Sequence, residues 1–289
     1  MNDTVQDIFG NAVEKDLLLR DRFIEPPFSV LDTKLGPWLN RKRMWISRGI
    51  ESEVGREDNL INYSNTLLKR MPTNKGSSIF DPVLCEIMYH WFCNPNGKIL
   101  DPFAGGSVRG VVAHYLEYDY TGIELRQEQV NNNKEQASKI LKPDNQPNWV
   151  VGDSNVVLDD MTDTYDFVFS CPPYAYLEKY SELPGDISNM TYEDFLVAYK
   201  SIINKSCKLL KPGGYACFVV GEVRDRKGKY LGFVPDTIES FQEANMAYYN
   251  EAILLTSMGT AAMRAPRQFK ASEKVVKIHQ NILVFKKPE

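Results

Sequence analysis

No apolar run in the 289 residues reaches membrane-spanning length, which argues against a transmembrane helix. The opening Met1-Asn2-Asp3-Thr4 is acidic and polar and lacks an apolar signal segment. The cysteines Cys85, Cys93, Cys171, Cys207 and Cys217 are scattered without the paired spacing of a zinc site; Cys85 and Cys93 lie among apolar residues, as reduced core thiols do. The expectation is an intracellular, cytoplasmic protein with no membrane contact and no metal. Internal repeats and low-complexity segments are absent. So is an excess of positive charge: the formal net charge is −4, which counts mildly against a nucleic-acid partner. Distribution matters more than the sum. Arg41-Lys42-Arg43 and Arg48 have no acid between them, and residues 258–289 carry Arg264, Arg267, Lys270, Lys274, Lys277, Lys286 and Lys287 against Glu273 and Glu289. Each stretch alone reads equally as an electrostatic footprint or as a solvated face.

What is present is an alternation of strand and helix patterns that begins near residue 80. Before it, Pro26-Pro27, Gly36-Pro37, Gly49 and Gly55 interrupt every short periodic run. Residues 1–77 are therefore expected to form an irregular extension, for DNA or partner contact, and residues 78–289 the main domain. Asp81-Pro82 is a helix start, with Leu84, Ile87, Met88, Trp91 and Phe92 on one face. Strands are predicted at 98–100, 120–125, 149–151, 165–169, 215–220, 251–256 and 280–285. Helices are predicted at 108–116, at 192–210 with a stop at Lys211-Pro212-Gly213-Gly214, and at 235–243, with a polar helix closing near Leu141. Seven strands separated by helices give an α/β, doubly wound, mostly parallel sheet. No helix is expected between the last two strands, which should form an antiparallel C-terminal hairpin.

Asp101-Pro102-Phe103-Ala104-Gly105-Gly106-Ser107 closes the first strand of the sheet. A parallel α/β sheet binds its ligand at such strand ends, and small residues let the backbone approach it closely. Glu124, with Leu125 at the tip of the next strand about twenty residues on, is placed to accept hydrogen bonds from two ribose hydroxyls. Asp153-Ser154 follows the third strand, where Asp153 can take an adenine amine. A nicotinamide site would want G-x-G-x-x-G facing a pyrophosphate; here the glycines read G-G-S-V-R-G after Asp101-Pro102. S-adenosylmethionine has no phosphate, so this turn need only pass close to it, and Asp101 suits its cationic sulfonium. Each acid alone is equally a strand-end cap, but three at successive strand ends favour a nucleoside cofactor.

Ser170-Cys171-Pro172-Pro173-Tyr174 closes the fourth strand. Together the two motifs resemble those of the DNA amino-methyltransferases, class I S-adenosylmethionine-dependent enzymes that methylate adenine N6 or cytosine N4. The resemblance covers residues 78–289 and implies a Rossmann-like, seven-stranded sheet. It also implies that Phe80 and Asp81 close over the methionine end of the cofactor, although capping and packing explain them equally well. The family's catalytic motif is [DNS]-P-P-[YFW]. An acceptor side chain and the carbonyl of the first proline take the two N–H groups of an exocyclic amine, so positioning and electrostatics supply the catalysis. The aromatic stacks on a base extruded from the duplex.

Pro172, Pro173 and Tyr174 match that motif, but Cys171 stands where the family has Asp, Asn or Ser, and a thiol is a weak acceptor. Three readings stay open: the Pro172 carbonyl dominates, Ser170 supplies the oxygen, or the site is impaired. Tyr176, Lys179 and Tyr180 line the base pocket or pack as an aromatic cluster. The turn D-P-F-A-G-G-S and the closing segment 277–285 resemble a subgroup with the reverse motif order, so the chain looks circularly rearranged relative to it; His279 is read as structural. Residues 26–32 with Trp38 and Arg41-Lys42-Arg43 resemble the leaders of phage-encoded methylases. The implied partner is double-stranded DNA, contacted through 259–277, 224–229 or 41–45; a homodimer or partner subunit is left open. Two alternatives remain: an RNA or protein amine methyltransferase, since enzymes of both kinds use similar Pro-Pro-Tyr turns, and a cofactor-binding but catalytically weak DNA-binding subunit.

Overall fold

The computed structural model describes residues 4–6, 12–14, 19–50, 80–174, 181, 183, 185–225, 227–256 and 261–289. The chain opens with β1 (Thr4–Gln6) and β2 (Ala12–Glu14), a small antiparallel pair of their own. Then come α1 (Leu19–Phe23), β3 (Val30–Asp32), α2 (Gly36–Ser47), α3 (Pro82–Phe92), β4 (Lys98–Asp101), α4 (Val108–Tyr115) and β5 (Asp119–Glu124). There follow α5 (Gln127–Ile140), β6 (Asn148–Val151), α6 (Ser154–Asp160), β7 (Tyr165–Ser170), α7 (Tyr192–Leu209), β8 (Leu210–Val220), α8 (Phe233–Glu243), β9 (Ala247–Leu255), α9 (Ala261–Ser272) and β10 (His279–Lys286).

The strands with continuous apolar runs take the middle of the sheet, as strands covered by helices on both faces must. The order is β3-β9-β10-β8-β7-β4-β5-β6. All neighbours are parallel except β10, which is antiparallel to both β8 and β9. This is the doubly wound, mostly parallel sheet with an antiparallel C-terminal pair that the periodicity predicts, and it has the Rossmann-like form that the resemblance implies. From Phe167 on, alternate residues of β7 face opposite layers: Phe167 and Phe169 join a core with α3 and α4 and Val168 one with α7 and α8, which Tyr165 also joins across the register shift between Tyr165 and Phe167.

Three features differ from the sequence expectation. The sheet has eight strands rather than seven, because β3 of the N-terminal extension pairs in parallel with β9. A three-residue strand is too short to show a period. The extension also contains α2, whose Gly36-Pro37 opens the helix instead of breaking a run: proline at the first turn needs no intrahelical partner. Finally, α9 lies between β9 and β10, where the sequence pattern predicts no helix; it contains Pro266.

α2 docks on α3 through polar contacts around two buried tryptophans, Trp38 and Trp45. Arg41 donates to both Glu86 oxygens (2.6 and 2.5 Å), and Trp45 Nε1 donates to Glu86 Oε2 at 3.0 Å. Lys42 Nζ (2.9 Å) and Trp38 Nε1 (3.2 Å) donate to Asp81 Oδ2. Two charges of the Arg41-Lys42-Arg43 stretch are thus paired with Glu86 and Asp81.

Candidate functional site

The strand order reverses at β4, which has β5 on one side and β7 on the other. The carboxyl ends of β4 and β7 therefore flank a switch-point crevice, the place where an open α/β sheet binds ligand. A cavity of about 480 Å³ opens there. Its walls include Phe80, Asp81, Phe103, Ala104, Gly105, Gly106, Glu124, Leu125, Asp153 and Ser154, together with Cys171, Pro172, Pro173 and Tyr174. The two sequence motifs thus face one cavity. Its volume is that of a small-molecule site.

Asp101 and Ser170, at the two strand ends, lie behind this cavity, and both are fully buried. Ser170 Oγ donates to Asp101 Oδ1 at 2.6 Å, tying β7 to β4. The other carboxylate oxygen accepts from Arg109 Nε (2.5 Å) and Tyr120 Oη (2.7 Å), and the Phe103 amide donates to Oδ1 at 3.1 Å. Arg109 also donates to the carbonyls of Phe103 (2.6 Å) and Ala104 (2.8 Å) and sits 4.6 Å over the Phe80 ring. Burial disfavours the Arg109 charge, but Asp101 outweighs it and holds the guanidinium protonated. Asp101 was expected to face a sulfonium and Ser170 to offer an acceptor to the base; the structure places both fully buried, off the cavity lining, with the Asp101 oxygens taken up by the network that shapes the turn and the Ser170 hydroxyl donating to it.

The turn itself is a cradle. Gly105 has φ +53°, and a Cβ added at Gly105 or Gly106 would meet nothing within 4 Å, so both face open space. Asn133 Nδ2 donates to Gly105 O at 2.8 Å, and the Ala104 amide to Ile123 O at 3.0 Å. Ser107 is turned away from the cavity and donates to Gln136. Ser154 Oγ donates to Pro102 O at 2.6 Å. Glu124 is held by the Arg126 amide at 3.0 Å, with its side chain only 12% exposed. Burial raises its pKa, against lowering contributions from Arg126 and Gly105. Asp153 caps α6 through the Asn155 amide at 2.8 Å and still borders the cavity. Asp81 does the same for α3, accepting from the Val83 amide at 3.0 Å.

On the opposite wall, Tyr174 Oη accepts from Gln280 Nε2 at 2.7 Å, and its ring meets Phe233 edge-on at 6.0 Å. Sequence reasoning does not single out Gln280, on β10, nor Arg109, nor the N-terminal wall residues Thr33 and Leu39, and it reads Lys42 as a surface charge rather than as part of this wall. A lone arginine in the otherwise apolar stretch of α4 is the available signal for Arg109. Tyr176, Lys179 and Tyr180 lie outside the described residues. Among the described residues, no group of three or more histidine, cysteine or acidic side chains is placed to hold a metal ion, and no helix is long and apolar enough to cross a membrane.

No protein-family model and no curated protein sequence matches the chain. Solved structures with a related architecture include TrmN from Thermus thermophilus (TM-score 0.47, 14% identity), whose match covers 72% of this chain and 49% of that one. Magnesium protoporphyrin IX methyltransferase (ChlM) from Synechocystis PCC 6803, solved with bound S-adenosylmethionine, has a TM-score of 0.42 and 12% identity over 66% of this chain and 71% of that one. A candidate DNA modification methylase, also from Thermus thermophilus, has a TM-score of 0.37 and 23% identity over 48% of this chain and 53% of that one. The chain thus spans about half the length of TrmN. At these scores and identities the likeness is to the general α/β architecture alone.

Proposed function

We propose that this chain is an S-adenosylmethionine-dependent methyltransferase acting on the exocyclic amine of a base extruded from duplex DNA, with adenine N6 favoured over cytosine N4. The observation that carries this reading is the meeting of both motifs on one cavity. The Gly105-Gly106 turn, Glu124 and Asp153 form one side, and Cys171-Pro172-Pro173-Tyr174 the other. The first side fits a nucleoside cofactor: open space over two glycines and carboxylates at successive strand ends for ribose hydroxyls and an adenine amine. When bound, S-adenosylmethionine supplies an activated methyl group on a sulfonium.

The chain's own residues then hold and orient. Glu124 and Asp153 fix the nucleoside, and Phe80 and Asp81 close the methionine end beside Lys42. On the acceptor side, the Tyr174 ring stacks on the base, and the Tyr174–Gln280 and Tyr174–Phe233 contacts fix its plane. The Pro172 carbonyl, made rigid by two successive prolines, accepts an N–H of the amine. Its electron pair is thereby turned out of conjugation and toward the methyl group. With Ser170 bound to Asp101, this carbonyl is the principal acceptor and the Cys171 thiol a weak second one. The reading is tested by offering DNA, RNA and protein in competition for a labelled methyl group from S-adenosylmethionine. Label on DNA supports it; label confined to RNA or protein overturns the acceptor while leaving the methyltransferase reading intact.

A further inference from the structure

We infer that α9, together with the neighbouring 224–230 loop, is the surface on which this chain docks the phosphate backbone of a nucleic-acid duplex. The inference rests on the acceptor reading above and says where that acceptor is held. β10 is antiparallel to both β8 and β9, so β8 and β9 run the same way and α9 emerges at the cavity end of the sheet. Thr256 and Gln280, on the two sides of α9, line the cavity.

α9 leans on the protein through a narrow stripe, Ala261, Ala265 and Gln268, and its other residues are exposed. Among its twelve residues there is no acid, while Arg264, Arg267 and Lys270 all point to solvent. Among the described residues these three have no ion-pair partner, whereas Arg41, Lys42, Arg109, Lys200, Lys205 and Lys211 all have one. The same helix exposes Met263 (69%) and Phe269 (55%).

The 224–230 loop adds to this surface. The Lys274 side chain lies over Gly228, so close that a Cβ there would collide with Nζ. Arg224 donates to Gly228 O at 2.7 Å and sits 3.8 Å over the Tyr230 ring, which sets the loop's shape while Lys227 and Lys229 face solvent. The described residues of loop and helix segment together carry Arg224, Lys227, Lys229, Arg264, Arg267, Lys270, Lys274 and Lys277 against Asp225 and Glu273, on a chain whose net charge is −4. Cations without an ion-pair partner among the described residues of an acidic chain, beside the proposed base pocket, complement a polyanion. Exposed apolar side chains among them suit sugar and base contact in a groove.

The test is salt-dependent binding of a fluorescein-labelled unmodified DNA duplex by anisotropy, for the full chain and two variants. One variant carries Arg264→Gln, Arg267→Gln and Lys270→Gln; the other carries Lys227→Gln and Lys229→Gln. All five positions are exposed, so melting temperature and calorimetric S-adenosylmethionine affinity should stay at wild-type values. Each lost phosphate contact flattens the slope of log affinity against log salt by about 0.9, so the expected changes are about 2.7 and about 1.8. Wild-type slopes and affinities in both variants overturn this surface while leaving the DNA reading standing. A wild-type chain that binds no duplex overturns both. Variants that lose binding to anionic phospholipid vesicles but keep duplex binding would reassign the surface to a membrane and overturn the proposal.

Discussion

Replacing Asp101 with alanine removes a fully buried carboxylate that ties Ser170, Tyr120, Arg109 and the Phe103 amide together at the switch point. The Arg109 guanidinium is then left inside the protein without its partner, its side chain 6% exposed. Breaking a buried ion pair by deleting one member costs about 3–5 kcal/mol, because the remaining charge is uncompensated. A domain of ordinary stability has about 5–15 kcal/mol in all, so Asp101→Ala should leave a marginal fold. Urea unfolding with the slope held constant reads the change from the midpoint. Cofactor affinity should fall as well, since Arg109 also holds the Phe103 and Ala104 carbonyls of the turn. Adding Arg109→Met to Asp101→Ala removes the orphaned charge, so the double variant should be more stable than Asp101→Ala alone, with a coupling energy of about 2 kcal/mol or more. A cost below about 1 kcal/mol for Asp101→Ala, or strict additivity in the double variant, would refute the reasoning.

Glu124→Gln should lower S-adenosylmethionine affinity roughly 10- to 100-fold by calorimetry, as loss of charge-assisted hydrogen bonds does. The same change should stabilise the unliganded protein at neutral pH. Burial raises the Glu124 pKa, so the carboxylate disfavours the fold once it ionises; the gain should fade as pH falls toward the ordinary glutamate value of 4.5. Tyr174→Ala should cost about 1–3 kcal/mol of transition-state stabilisation in methyl transfer, the worth of a base stack. Tyr174→Phe, which keeps the ring and loses the hydroxyl's bond with Gln280, should remain within roughly tenfold of wild type. Cys171→Ala should also retain activity within roughly tenfold in steady-state transfer assays, because a thiol is a weak acceptor and the Pro172 carbonyl remains. A collapse of activity would instead make the thiol the working group.

The central sheet is legible in the sequence because most of its strands are short apolar-rich segments bounded by turns, and their lengths separate them from helices. The N-terminal contribution is not, for local reasons. Val30-Leu31-Asp32 is too short for any period, and Gly36-Pro37 reads as an interruption although it opens α2. The better signal there is Trp38 and Trp45, seven residues apart on one helical face and both buried against α3. α9 reads as a loop in sequence because Pro266 falls inside it. At the site, the acids at strand ends and the Pro-Pro-Tyr turn stand out by position. The work of Asp101 and Ser170 does not, because it depends on Arg109 and Tyr120, which reach them from elsewhere in the chain. A strand-end acid whose oxygens are all occupied looks, in sequence, the same as one facing a ligand.

The central claim is methyl transfer to a base amine, and the most direct measurement is tritium transfer from labelled S-adenosylmethionine to unmethylated duplex DNA, followed by digestion and nucleoside analysis. The account predicts label in N6-methyladenine. Label in N4-methylcytosine would keep the chemistry and change the base. No label in DNA, with S-adenosylmethionine bound by calorimetry, would contradict the claim.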